Sequence, residues 1–159
     1  MTVIEPPTTA RLLGGAAIDP FARTLPMAGT RPAMGFPSPA EDFEDEAIDL
    51  NDLLVRNPPA TYLYRAEGWS MLHAGICDGD ILVVDRSVTP VDGDIVLAVW
   101  EGQVVCKVLR VGANHLELHS RNPHCPNIVL PPETEVEVFA VTGVARQIQR
   151  KGGRRVRPG

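Results

Sequence analysis

The tetrapeptide Asp-Gly-Asp-Ile occurs twice, at 78–81 and 92–95, and each copy opens a short apolar run. Asp-Gly is turn chemistry: glycine accepts a positive φ, and the aspartate side chain caps nearby backbone N–H groups. The runs after these turns, Ile81-Leu82-Val83-Val84 and Ile95-Val96-Leu97-Ala98-Val99-Trp100, read as strands, as does Thr61-Tyr62-Leu63-Tyr64-Arg65 upstream. Glu101-Gly102 is then a two-residue hairpin connection into residues 103–110. Residues 115–119 alternate weakly, and 136–148 hold one long strand or two short ones. The repeated tetrapeptide is one turn device used twice, not a duplicated module. The expected fold class is mostly β: a curled, largely antiparallel sheet.

The flanks differ from this centre. Residues 1–40 hold seven of the 15 prolines and no sustained period, which predicts an extended or partly disordered arm. Seven acids fall in residues 41–52, where Asp49 is placed to cap one short helix near 49–56, ahead of Asn57-Pro58-Pro59. Five basic residues among glycines after Ile148 read as a solvated tail. The expected organisation is an arm over 1–42, a globular domain over 43–149 and a basic tail over 150–159.

Charge and cysteine usage narrow the function. A net charge of −5 lacks the broad basic field of nucleic-acid binders, so direct sequence-specific DNA binding is not expected. The longest early apolar stretch, 12–18, is too short to cross a bilayer, and Glu5, Pro6 and Pro7 stand where a secretory signal would be basic. Cys77, Cys106 and Cys125 are odd in number and widely spaced, which suits reduced thiols and a cytoplasmic location.

Lys107 is the anomalous residue. It interrupts Val104-Val105-Cys106-Lys107-Val108-Leu109, a run apolar on both strand faces and therefore expected to be buried on both. A lysine there must snorkel out, pair with an acid or lose its proton. In the last case its neutral amine can act as a base, and a base needs a nucleophile. Ser70 is the best-placed partner. It follows Gly68-Trp69 at the end of a strand, where glycine lets the backbone turn and aim N–H groups at an oxyanion.

Gly68-Trp69-Ser70-Met71 followed by Gly75-Ile76-Cys77-Asp78-Gly79-Asp80 resembles the serine motif of the LexA/UmuD family of self-cleaving Ser–Lys peptidases, peptidase family S24. Val105-Cys106-Lys107-Val108-Leu109 resembles its lysine motif, 37 positions after Ser70. Asn122 with Pro126-Asn127-Ile128 resembles the loop and strand that come after the family's lysine strand. Gly35-Phe36-Pro37-Ser38-Pro39-Ala40 and Ile48-Asp49-Leu50-Asn51 are similar to the UmuD type, and the first 40 residues carry no winged helix-turn-helix as a LexA repressor would. The resemblance covers about residues 34–146. It implies Ser70 as nucleophile, Lys107 as general base and the Ser70 backbone N–H in the oxyanion hole. The aligned scissile bond is Met34–Gly35, with Ala28–Gly29 as the alternative, because the family cuts after a small residue. Trp69 stands where many UmuD-type chains have an acid. The resemblance further implies a homodimer, a RecA–single-stranded-DNA filament as trigger, a UmuC-like error-prone polymerase as later partner, and a role in the SOS response and translesion synthesis. No cofactor is implied.

Three rival readings compete with this one. His115, His119, His124 and Cys125 are clustered, as are His73 and Cys77, but none makes a known zinc spacing, and no metal is expected. A signal peptidase shares the Ser–Lys logic but needs a membrane anchor. A non-enzymatic dimeric binding module, or a repressor-derived regulatory domain, would keep the fold without the chemistry, and replacing Ser70 distinguishes them.

Overall fold

The computed structural model describes residues 5–16, 24–27 and 46–148. In chain order the elements are β1 (Thr9–Gly15), β2 (Thr24–Met27), β3 (Glu46–Asp49), α1 (Leu50–Leu54), β4 (Thr61–Glu67), β5 (Ile81–Asp85), β6 (Ile95–Trp100), β7 (Gln103–Val111), β8 (Leu116–His119), β9 (Ile128–Val129) and β10 (Val138–Ala145). Eight of the strands form one sheet in the order β1-β4-β5-β10-β6-β7-β8-β9, and β2 pairs with β3 apart from it. Every pairing is antiparallel. Because β1 also meets β7, through Thr9 opposite Val105, the sheet curls closed at that seam. The mostly β, curled antiparallel expectation holds, and the 136–148 region is one strand, β10.

The two Asp-Gly-Asp turns make the same hydrogen bonds. Gly79 N–H donates to Ala66 O and Gly93 N–H to Leu109 O, both at 2.7 Å; Ala66 N–H donates back to Asp80 O and Leu109 N–H to Asp94 O, both at 2.8 Å. The last aspartate of each turn accepts from the N–H three residues earlier, Cys77 at 2.8 Å and Val91 at 2.9 Å. Gly79 (φ 87°) and Gly93 (φ 93°) supply the left-handed backbone. Glu101 (φ 48°) and Gly102 (φ 77°) make the two-residue hairpin between β6 and β7. Asp49 caps α1 through Asn51 N–H at 2.8 Å, so the short helix lies where the capping signal put it.

Side-chain alternation sorts the core into two clusters. On β6 and β7, Leu97, Cys106 and Val108 join Tyr64, Met71 and Leu82 on one face, while Val96, Ala98, Val105 and Leu109 join Leu118 and Leu130 on the other. With a cluster on each side, residues 105–109 of β7 are all buried.

The arm expected over residues 1–42 contains a difference. Residues 9–15 are extended, as proline-rich flanks suggest, but they are a strand of the main sheet. Residues 8–19 carry no proline, so their N–H groups are free to pair. Leu12 and Leu13 are exposed, so hydrogen bonding to β4 and not apolar burial recruits the strand. The tail after Ile148 lies outside the described residues.

One ion pair ties the end of β10 to the turn that follows the Ser70 loop. Arg146 Nε and Nη2 each donate to the Asp80 carboxylate at 2.6 Å, and Asp80 is 1% exposed. The arginine hydrogen bond holds the Asp80 carboxyl below its ordinary range, ahead of an opposing contribution from burial. A group with a lowered folded pKa stabilises above its unfolded value of about 3.9 and loses that contribution as pH falls through the folded value. Asp80→Asn is therefore expected to cost about 1–3 kcal/mol in urea unfolding at pH 7, with the gap from the parent protein narrowing below about pH 4.

Candidate active site

Ser70 lies just beyond β4, where the chain turns at Gly68 with φ 112°. Asp78 of the first turn accepts the Gly68 N–H at 2.8 Å. The loop after β8 grips the backbone on both sides of the serine: Asn122 Nδ2 donates to Trp69 O at 3.0 Å, and Arg121 N–H donates to Ser70 O at 2.8 Å. With those carbonyls held, the Ser70 N–H and hydroxyl face the opposite way, and Ser70 is fully buried.

Thr8 packs directly on it. Thr8 N–H donates to Ser70 Oγ at 2.6 Å, and Ser70 N–H donates to Thr8 Oγ1 at 2.8 Å. Thr8 O accepts the Cys106 N–H at 2.9 Å, so this piece of chain is laid along β7 beside Lys107. A Cβ on Gly68 would come within 3.2 Å of Thr8 Cα, which makes glycine necessary for this approach as well as for the turn.

Lys107 is 1% exposed and lies on a strand flanked by β6 and β8, so neither snorkelling nor an edge position accounts for it. Among the described residues it has no carboxylate partner. Its Nζ donates instead to Ser120 Oγ at 2.5 Å. Ser120 Oγ in turn donates to Pro126 O at 3.1 Å, and Asn127 Oδ1 fixes the Ser120 N–H at 3.0 Å. Burial lowers the Lys107 pKa, against smaller opposing effects of the Cys125 and Cys106 thiols. The same burial pushes the Cys106 thiol up to about 12. A cavity of about 270 Å³ opens beside Lys107, lined also by Pro7, Trp100, Val105, Pro126 and Ile128.

Ser70 thus bonds Thr8, and Lys107 lines a cavity with the adjoining Pro7, although the lysine's own hydrogen bond goes to Ser120. Met34–Gly35 and Ala28–Gly29 both lie outside the described residues. Sequence reasoning passed over Thr8, Pro7 and Ser120. Pro6-Pro7 does presage extended chain at Thr8, whereas a serine in a loop carries no mark of its lysine partner. His115 and His119 flank Glu117, with His119 Nε2 at 3.0 Å and His115 Nε2 at 3.5 Å from its carboxylate. Cys77, Cys106 and Cys125 are free thiols.

Comparison with known proteins gives the family. A family model described as Peptidase S24-like matches residues 26–143. The chain is 39% identical to protein SamA of Salmonella typhimurium strain LT2 over 123 residues, 77% of this chain and 85% of SamA. It is 45% identical to protein ImpA of Escherichia coli over 91 residues, 57% of this chain and 61% of ImpA. It is 37% identical to the LexA repressor of Cupriavidus taiwanensis over 130 residues, 82% of this chain and 58% of the repressor. The chain belongs to the peptidase S24 family, the LexA/UmuD-like group that its motifs resemble.

The buried lysine makes stability depend on pH. Between its lowered folded pKa and the unfolded value of about 10.4, the unfolded chain holds a proton that the native chain does not, so this residue's contribution rises with pH. Cys106, with its raised pKa, acts in the opposite sense. Lys107→Met removes the first contribution and keeps the second. Urea unfolding from pH 7 to 10 should then give the parent the more positive slope of stability against pH, and Lys107→Met should be the more stable protein at pH 7.

Proposed function

We propose that this chain is a Ser–Lys endopeptidase that cuts its own N-terminal arm, and that the processed form serves as a homodimeric accessory subunit of a UmuC-like error-prone polymerase in SOS translesion synthesis. The observation that carries the chemical reading is the convergence of a fully buried serine and a fully buried lysine on one extended piece of chain. The biological reading rests on the UmuD-type resemblance of the motifs, which also points to a RecA–single-stranded-DNA filament as the trigger.

In the reaction the Ser70 hydroxyl attacks the scissile carbonyl carbon, and its proton passes to the neutral Lys107 amine. The carbonyl oxygen becomes an oxyanion and takes the Ser70 N–H. The intermediate collapses, the C–N bond breaks, and Lys107 returns the proton to the leaving amine. Water then hydrolyses the acyl-serine by the same proton route. Ser120 accepts one hydrogen of the lysine amine, which orients the nitrogen lone pair. The absence of a carboxylate at Lys107 among the described residues suits this role, since a nearby anion would keep the amine charged. Trp69, exposed beside the serine, would meet substrate from outside.

Incubation with RecA, single-stranded DNA and a nucleotide, followed by intact-mass measurement, tests the reading. The larger fragment should begin at Gly35, or at Gly29 if the upstream Ala-Gly pair is the bond; an intact chain under these conditions argues against self-cleavage. Ser70→Ala should abolish the cut while leaving the fold intact.

The spontaneous cleavage rate should rise with pH as neutral Lys107 accumulates and level off above its folded pKa, which burial sets below the ordinary lysine value. Lys107→Arg should be inactive throughout, because guanidinium keeps its proton. An active Lys107→Arg protein would assign the base elsewhere.

A further inference from the structure

We propose that residues 5–8 are an autoinhibitory strap that occupies the groove of the candidate nucleophile and must lift away before the scissile segment can enter. The inference rests on the Ser–Lys reading and concerns its regulation. Residues 5–15 lie outside the span that the family model matches, 26–143, so the strap does not follow from family membership.

The strap binds as a peptide substrate would, by laying an extended strand along the stretch of β7 that β8, paired only from Val108 to Val111, leaves open. Thr8 O takes the Cys106 N–H at 2.9 Å, and Thr9 sits in antiparallel register with Val105. Glu5 N–H is tied to His124 O at 3.1 Å, and Gly68 is open enough for Thr8 Cα to pass against it. Pro6 and Pro7 stiffen this stretch and bring no N–H groups that would need partners, which leaves only the Glu5 and Thr8 N–H groups to be paired.

What the strap does at Ser70 is obstructive. Its Thr8 N–H engages Ser70 Oγ at 2.6 Å, and its Thr8 hydroxyl oxygen accepts the Ser70 N–H at 2.8 Å. A peptide about to be cut places its carbonyl oxygen on such an N–H. Here a side-chain oxygen has taken that place, so the strap fills the groove without offering the Pro7 carbonyl for attack. Lifting it opens the seam to β7 at Thr8 and Thr9 but does not unpair the strand: β1 remains paired to β4 from Ala10 opposite Ala66 onward, and the chain can hinge at Thr9.

The test uses the full chain with Thr8→Val, which keeps the shape and removes the hydroxyl acceptor, beside Thr8→Ser, which keeps it. Two rates are read: spontaneous self-cleavage, and labelling of Ser70 by an alkyl fluorophosphonate followed by intact mass. Thr8→Val should raise both about 3- to 10-fold, the range of one ordinary net hydrogen bond, and Thr8→Ser should stay near the parent. Thr8→Ala serves as a second variant should Thr8→Val melt early. Folded Thr8→Val or Thr8→Ala protein with both rates unchanged or lowered overturns the strap, even where Ser70→Ala abolishes cleavage and so leaves the Ser–Lys reading standing. Failure of that reading has a different signature, continued cleavage in Ser70→Ala.

Discussion

A lysine buried on a strand that runs between two apolar clusters is the constraint around which this domain is arranged. Taking an ammonium group out of water costs several kcal/mol, and Lys107 has no carboxylate among the described residues to offset it. Its surroundings accommodate the neutral amine instead: one hydroxyl, Ser120, itself saturated by Pro126 O, and otherwise aliphatic residues and thiols. That solution needs the β8–β9 side to cover one face of β7 and the closed sheet to cover the other. The curl of the sheet and the protonation of one side chain are therefore a single problem.

The two Asp-Gly-Asp turns hold the parts of this arrangement in place. The first returns to Ala66 and, through Asp78, to Gly68, two residues before Ser70. The second returns to Leu109 and, through Asp92, to Val111, just past Lys107 on the same strand. One local device thus fixes both strands that present the candidate serine and lysine. Polar side chains bonded to backbone give short-range rigidity that an aliphatic core with few aromatic rings does not guarantee alone. Arg146 adds a longer brace by clamping Asp80 of the first turn to the end of β10.

Much of this was legible in the sequence because it is local. Turn glycines, period-two alternation, the Asp49 cap and the intruding lysine all announce themselves within a few residues, and the serine and lysine motifs carried the family. The hidden part is non-local. Strand order cannot be read from strand positions, so nothing in residues 9–15 says that they sit between β4 and β7. Their exposed Leu12 and Leu13 give no burial pattern, and hydrogen bonding to a distant edge leaves no periodic trace. Thr8 and Ser120 escaped for the same reason: each matters through a contact 62 or 13 positions away.

The position of β1 also bears on what a cut in the arm would accomplish. Both candidate bonds, Met34–Gly35 and Ala28–Gly29, follow β1 in sequence, so cleavage at either would place the seam strand and the strap on the departing fragment. While the chain is intact, the tether keeps that strand at the high effective concentration of an intramolecular partner. Once it is cut, the same hydrogen bonds must hold a separate peptide whose Leu12 and Leu13 bury little apolar surface, and dilution favours release. Release would bare the edge of β4 and the groove beside Ser70 together. An exposed strand edge is a template for pairing with another chain, so one covalent event in the arm would convert a closed sheet into one able to accept a partner's strand.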